Sequence, residues 1–167
     1  MSSNDTPIRT AIITISDTRK PQNDISGERL AQLAEGAGCS VVERLIVTDE
    51  FHDIRRTLLR LSHDEDVDMV LTTGGTGFAP RDNTPEATRA VIEREAPGIA
   101  ESIRRESAKK TPMAMLSRGT AGIAGKTLVI NLPGSPKAVE ECFEVIRPVL
   151  RHAVDLVRGE TRHGEAK

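Results

Sequence analysis

The eight residues Ile8 to Ile15, I-R-T-A-I-I-T-I, constrain the fold more than any other stretch of the chain. The run is almost continuously apolar or β-branched, with no alternating polar face. A strand of that kind needs cover on both sides, as inside a parallel sheet flanked by helices. The sequence that follows supplies the cover. Ser26 to Gly36 has helical period, with Leu30, Leu33, Ala34 and Ala37 on one face and Gly38 as the stop. A second strand is expected from about Ser40 to Val47. A helix over roughly His52 to Ser62 presents Ile54, Leu58 and Leu61, and a third strand runs from Val67 to Thr72. Thr84-Pro85-Glu86 reads as a helix start, with a hydroxyl at the cap, Pro first and an acid in the first turn. A further helix is expected from about Gly98 to Lys109.

The rhythm then changes. Leu116 to Ile123 and Thr127 to Leu132 flank Ala124-Gly125-Lys126, which predicts two strands joined by a tight turn. Ser135 caps and Pro136 opens a helix carrying Val139, Cys142, Phe143 and Ile146, which Pro148 should divide before Val149 to Arg158. The expected fold class is α/β: a single three-layer αβα domain with a mostly parallel sheet and one antiparallel strand. It spans residues 8–158, with residues 1–7 and 159–167 as flexible ends.

A chain of 167 residues fits one such domain. Formal net charge is −2, and there are three Phe with no Trp or Tyr. The chain thus lacks both the basic stripe and the stacking platform of a nucleic-acid binder. No apolar run reaches the ~18 residues of a membrane span. Met1 to Pro7 lacks a signal-peptide pattern, so a cytoplasmic protein is expected. Cys39 and Cys142 have no CxxC partner and read as reduced, buried apolar residues. The four histidines show no metal-ligand spacing.

Parallel α/β sheets bind ligands beyond the carboxyl ends of their strands, and the unusual residues of this chain collect there. The first strand is followed by Ser16-Asp17, the second by Thr48-Asp49, and the third by Thr73-Gly74-Gly75-Thr76-Gly77 with Arg81-Asp82 close behind. The late strand delivers Asn131 and then Pro133-Gly134-Ser135-Pro136. Three glycines in four positions let backbone N–H groups face a ligand, forming a nest suited to phosphate. The loop matches neither GxxxxGK[ST] nor GxGxxG. Carboxylates beside a phosphate nest repel the ligand unless a cation intervenes, and Mg²⁺ takes one or two carboxylates plus substrate phosphates. Asp49 and Asp82 are therefore the candidate catalytic and metal-binding acids. Pro133 to Pro136 leads into a helix N-terminus, a second favourable anion site. Ser117-Arg118 reads either as an anion contact or as an exposed pair.

The stretch Leu71 to Ala87, L-T-T-G-G-T-G-F-A-P-R-D-N-T-P-E-A, closely resembles the signature of the MoaB/MogA molybdenum-cofactor biosynthesis proteins, a domain also found in gephyrin. Ile15-Ser16-Asp17, Asp24 to Gly27, Leu116-Ser117-Arg118 and Asn131 to Ala138 follow the same family's order. The likeness covers about Ile8 to Val157 and is nearer MoaB than MogA. It departs at Asn83, where many relatives carry Val.

The resemblance implies a three-layer domain assembling as a homotrimer, or a homohexamer in some members. It implies binding of molybdopterin, and transfer of AMP from Mg-ATP to the terminal phosphate of that pterin with release of pyrophosphate. By position, Asp49 and Asp82 match the acids tied to catalysis and Mg²⁺. Gly74, Gly75, Thr76 and Gly77, with Thr73, match the phosphate loop. Ser16, Asp17, Ser117, Pro133, Gly134 and Ser135 match pocket positions. Two other readings stay open: a molybdopterin-binding scaffold without catalysis, and an unrelated nucleotide-binding module.

Overall fold

In the computed structural model, which describes residues 6–160, β1 (Ile8–Ile15) lies inside a six-stranded sheet with parallel neighbours on both sides. Ala11, Ile13 and Ile15 face one helical layer, and Ile8 and Ile12 face the other. All five are buried. That two-sided burial is what the apolar run demanded.

The chain continues through α1 (Ile25–Gly36), β2 (Cys39–Val47), α2 (Phe51–Ser62), β3 (Met69–Thr73) and α3 (Thr84–Arg89). It then adds β4 (Arg94–Glu95), α4 (Pro97–Ala108), β5 (Ala121–Ala124), β6 (Thr127–Leu132), α5 (Pro136–Ile146) and α6 (Leu150–Arg158). The strand order is β2-β1-β3-β6-β5-β4. β2, β1, β3 and β6 are mutually parallel, and β5 runs against both β6 and β4, so one strand opposes the rest. Leu30 of α1, Ile103 of α4, Phe143 of α5 and Val154 of α6 pack on one face. Ile54, Leu58 and Leu61 of α2 and Ala87 of α3 pack on the other. Each large side chain buried this way contributes about 1.5–3 kcal/mol, so two such layers hold the sheet without a disulfide.

Local chemistry sets the element ends. Asp24 caps α1 by accepting from the Gly27 amide at 3.0 Å. Ser135 caps α5 through the Ala138 amide at 3.2 Å, with Pro136 in first position. Pro148 separates α5 from α6 with a short 3₁₀ turn, Arg147–Val149.

Two expectations are corrected, and one short strand is added. The strand expected over Leu116 to Ile123 is only Ala121–Ala124; a 3₁₀ turn, Pro112–Leu116, and a loop precede it. Side chains hold that loop in place of a ladder: Arg104 Nη1 donates to the Gly119 carbonyl at 2.7 Å. Thr84 does not cap α3. Its hydroxyl donates to the Gly74 carbonyl at 2.9 Å, and its amide donates to the Gly75 carbonyl at 3.1 Å. The two-residue β4 was not foreseen, because it is too short to show a period. The flexible ends expected for the chain fall mainly on residues 1–5 and 161–167, outside the described residues.

Candidate active site

The sheet reverses direction of winding at β1: β2 lies to one side of it and β3 to the other. Such a switch point opens a crevice beyond the strand ends. Ser16 and Asp17 leave β1 there, Asp49 leaves β2, and the glycine loop leaves β3. Two reciprocal bonds clasp the first pair of loops: the Asp17 amide donates to Asp49 Oδ2 at 2.9 Å, and the Asp49 amide donates to Asp17 Oδ1 at 3.0 Å. Ser16 Oγ accepts from the amides of Thr18 and Arg19 at 3.2 and 3.1 Å, which folds the chain away from the strand. Asn83 Nδ2 reaches the Asp49 carbonyl at 2.9 Å and so ties the second acidic loop to the third.

Gly74 and Gly75 have φ of +101° and +67°. A Cβ on Gly75 would meet Thr84 Oγ1 at 2.4 Å, and one on Gly74 would meet the Ile15 carbonyl at 2.5 Å. Only glycine fits either position. A trans peptide sets each N–H opposite the preceding C=O. Thr84, by holding the Gly74 and Gly75 carbonyls, therefore aims the amides of Gly75 and Thr76 the other way. Among the described residues no group accepts from the amides of Gly75, Thr76 and Gly77. That is the nest the sequence predicts. Gly74 itself is spent, its amide donating to the Leu132 carbonyl at 3.2 Å. Thr73 is spent too: its hydroxyl donates to the Pro133 carbonyl at 2.7 Å, linking the glycine loop to the proline loop rather than facing a ligand. Gly134 lets the two loops touch, since a Cβ there would lie 3.3 Å from Gly74 Cα. Ser26 Oγ fixes the Gly134 carbonyl from α1 at 2.6 Å.

The two candidate acids sit in contrast with Asp17. Arg81 grips Asp17 through Nε and Nη2 at 2.6 and 3.1 Å and also reaches Glu50 at 3.0 Å. Its guanidinium holds the Asp17 carboxyl below the usual range. Burial pushes the Asp49 carboxyl up against the restraint of the Asp17 amide, and the charges of Asp17 and Asp82 add to the rise. Asp49 and Asp82 each use one oxygen on an amide, from Asp17 and Ala79 respectively. Among the described residues neither Asp49 Oδ1 nor Asp82 Oδ1 receives a hydrogen bond. Two unpaired carboxylate oxygens, with the Asp82 charge adding to the rise at Asp49, suit a hard divalent cation. No three His, Cys, Asp or Glu side chains converge among the described residues, so the protein forms no closed cage.

Beside the nest lies a cavity of about 460 Å³. Thr76, Gly77, Ser117, Pro133 and Ser135 line it, with Phe78, Ile103, Met113, Leu116 and Cys142 as its apolar wall. Its volume suits a small organic molecule.

A family model described as "Probable molybdopterin binding domain" matches residues 11–152. The chain belongs to that molybdopterin-binding family. Among the relatives of this family member is the molybdenum cofactor synthesis protein cinnamon of Drosophila melanogaster, 50% identical over 87% of this chain and 25% of that protein. The chain thus spans a quarter of the length of that relative. A molybdopterin adenylyltransferase of Helicobacter pylori is 39% identical over 91% of this chain and 89% of its own length. The crystal structure of the molybdopterin biosynthesis enzyme MoaB from Thermus thermophilus superposes with a TM-score of 0.84 at 44% identity, over 91% of this chain and 97% of that one.

The crevice of this family member gathers Ser16, Asp17, Asp49, the glycine loop and Asp82 at one edge, and Ser117 and Ser135 at the adjoining cavity. Asn131, expected at a strand exit, is instead buried inside β6; its side chain joins Thr72, Thr88 and the Thr120 amide. The wall residues Phe78, Met113 and Leu116 were not singled out from the sequence. The signal for Met113 and Leu116 was the apolar run Pro112 to Leu116, which has no helical or strand face to fill; Phe78 gave none. Arg118 contacts the glycine loop and Glu86 and is not an exposed residue.

Proposed function

We propose that this chain is a molybdopterin adenylyltransferase, which joins the AMP of Mg-ATP to the terminal phosphate of molybdopterin and releases pyrophosphate. One observation carries the reading. A nest of three unpaired amides stands between two carboxylates with free oxygens and a cavity the size of a small heterocycle. A site that bound only a neutral ligand would have no use for the first two features together. The Helicobacter relative named for this activity supports it.

The chemistry asks little acid–base help of the protein. The terminal phosphate of the pterin is already largely anionic near neutrality, and one of its oxygens attacks the α-phosphorus of ATP. The bond from that phosphorus to the bridging oxygen breaks, and pyrophosphate leaves with the electron pair. Positioning and charge neutralisation then carry the rate. The amides of Gly75, Thr76 and Gly77 hold a phosphate, and the Pro133–Ser135 loop at the α5 N-terminus holds another. The apolar wall of the cavity seats the pterin, with Ser117 and Ser135 at its rim. Magnesium, held by Asp49 and Asp82, would neutralise charge on the polyphosphate. Asp17 keeps Asp49 in place through the reciprocal clasp.

Purified protein given molybdopterin, ATP and Mg²⁺ should release pyrophosphate in step with pterin consumption. Binding of the pterin without ATP consumption would make the chain a scaffold; nucleotide binding with no pterin affinity would make it an unrelated module. The homotrimer or homohexamer, the cytoplasmic location and the 8–158 domain bounds belong to the same proposal. Light scattering should give three or six times the chain mass.

A further inference from the structure

The loop from Thr76 to Asp82 carries the last nest amide and one of the two acids, yet it belongs to no helix or strand. Within itself it makes a single turn: the Asp82 amide donates to the Ala79 carbonyl at 2.9 Å, and the Ala79 amide donates to Asp82 Oδ2 at 3.0 Å. Pro80 and the exposed Phe78 add no tie. Arg81 ties the loop to Asp17 and Glu50 by its side chain alone, leaving the backbone carbonyls of Thr76, Gly77 and Asp82 to be held from elsewhere. Something outside must fix it.

One residue, Arg118, 36 positions beyond Asp82 and 41 beyond Gly77, does so at three points. The Arg118 amide donates to the Thr76 carbonyl at 2.8 Å. Its Nε donates to the Gly77 carbonyl at 2.7 Å, and its Nη2 to the Asp82 carbonyl at 2.7 Å. Nη1 pairs with Glu86 on α3. Because a trans peptide sets N–H opposite C=O, the backbone bond to the Thr76 carbonyl aims the Gly77 amide into the nest. Any residue at 118 makes that bond, and what the arginine adds is the pair of side-chain bonds that keep the loop there. The two side-chain bonds hold the backbone at both ends of the Gly77–Asp82 loop. Arg104 steadies the Arg118 segment in turn, by donating to the Gly119 carbonyl at 2.7 Å. The planar guanidinium is the group for this task, since its fork serves several fixed acceptors and an ammonium does not.

We propose that Arg118 is the positioning residue of the crevice: it holds the Thr76–Asp82 loop so that the Gly77 amide and the Asp82 carboxylate meet the substrate phosphates beside Asp49. The proposal rests on the adenylyl-transfer reading only for the identity of those phosphates. Arg118 acts through the loop and does not touch the reacting atoms.

The test uses the full chain with Arg118→Lys, Arg118→Gln and Glu86→Gln, read by amide hydrogen exchange and by pyrophosphate release. In both Arg118 variants, exchange at Ala79 and Asp82 should accelerate about tenfold or more while β3 and β6 keep their protection. Turnover should fall about tenfold or more in kcat, with a raised half-saturating Mg²⁺ concentration and no rescue by Lys. Glu86→Gln, which spares the carbonyl bonds, should stay within about threefold of wild type. Wild-type exchange in the Arg118 variants would overturn the proposal. So would a Glu86→Gln loss as large as theirs, or loss of protection throughout β3 and β6, which would make Arg118 a folding residue. If the wild type itself releases no pyrophosphate, the adenylyl-transfer reading fails, while the exchange result still decides the role of Arg118.

Discussion

Two aspartates at opposite ends of the same sheet live by opposite rules. Asp68, beside the amino end of β3, is 3% exposed. It accepts from the amide, Nε and Nη2 of Arg9 at 2.8, 2.9 and 2.9 Å, from Arg158 Nε at 3.0 Å, and pairs with Arg158 Nη2 as well. Burial alone would raise its carboxyl, but the bonds from Arg9 and Arg158 hold it down at about 2. Asp49, at the carboxyl end of β2, is raised first by burial and then by the charges of Asp17 and Asp82, which outweigh the Asp17 amide and the Arg81 charge. A hollow of about 730 Å³ at the Asp68 end is larger than the cavity by the glycine loop. Its buried acid is already satisfied by the chain's own cations, so size does not make it the ligand site. The fold neutralises one acid internally and leaves one oxygen of the other without a partner among the described residues. Unpaired charge in a crevice is where function is to be sought, whereas a buried pair is chiefly costly to break.

The largest effect that separates the two is on rate. Asp82→Asn and Asp49→Asn should each cut pyrophosphate release by about 10²–10³-fold, with the unfolding midpoint unchanged or slightly raised. Asp68→Asn should do the reverse. It leaves the Arg158 guanidinium without a carboxylate among the described residues and Arg9 with Asp66 alone, and should lose about 3 kcal/mol in urea unfolding, with kcat of the folded protein retained.

The pH dependence sharpens the same contrast. Asp68 is held low, so its stabilisation is complete above the ordinary carboxylate range. About 2 kcal/mol should disappear as the pH falls from about 4 to 2. Asp49 is held high, so its charged form costs stability as the pH rises through its raised value. Acid unfolding of Asp68→Asn should therefore lose the steep limb below pH 4, and Asp49→Asn should keep it. The smallest effect is at Asn83→Val, which removes the amide bond to the Asp49 carbonyl and should cost about 1 kcal/mol in urea unfolding.

Much of the fold could be read because its signals are local. The unbroken apolar run of β1, the Ser135-Pro136 start of α5 and the Pro148 break each follow from a few adjacent residues. The glycine run announced its nest for the same reason: backbone shape is written in the residues that adopt it. Misreadings came where distant side chains decide. Leu116 to Thr120 runs straight into the real strand in sequence and reads as part of it, but Arg104 and Arg118 draw its backbone and side chains elsewhere. Thr73 looked like a ligand contact and instead joins two loops 60 residues apart in sequence. The cavity wall was hidden because Phe78, Ile103, Met113 and Cys142 come from four separate segments.

The central claim is that the crevice transfers an adenylyl group rather than only holding a pterin. ATP labelled at its α-phosphorus, incubated with molybdopterin, Mg²⁺ and the purified chain, tests it directly. The label should appear on the pterin, one per pyrophosphate released, and should fail to appear with Asp82→Asn. Label remaining in ATP, or released as free AMP, while the pterin stays bound and unmodified would contradict the account.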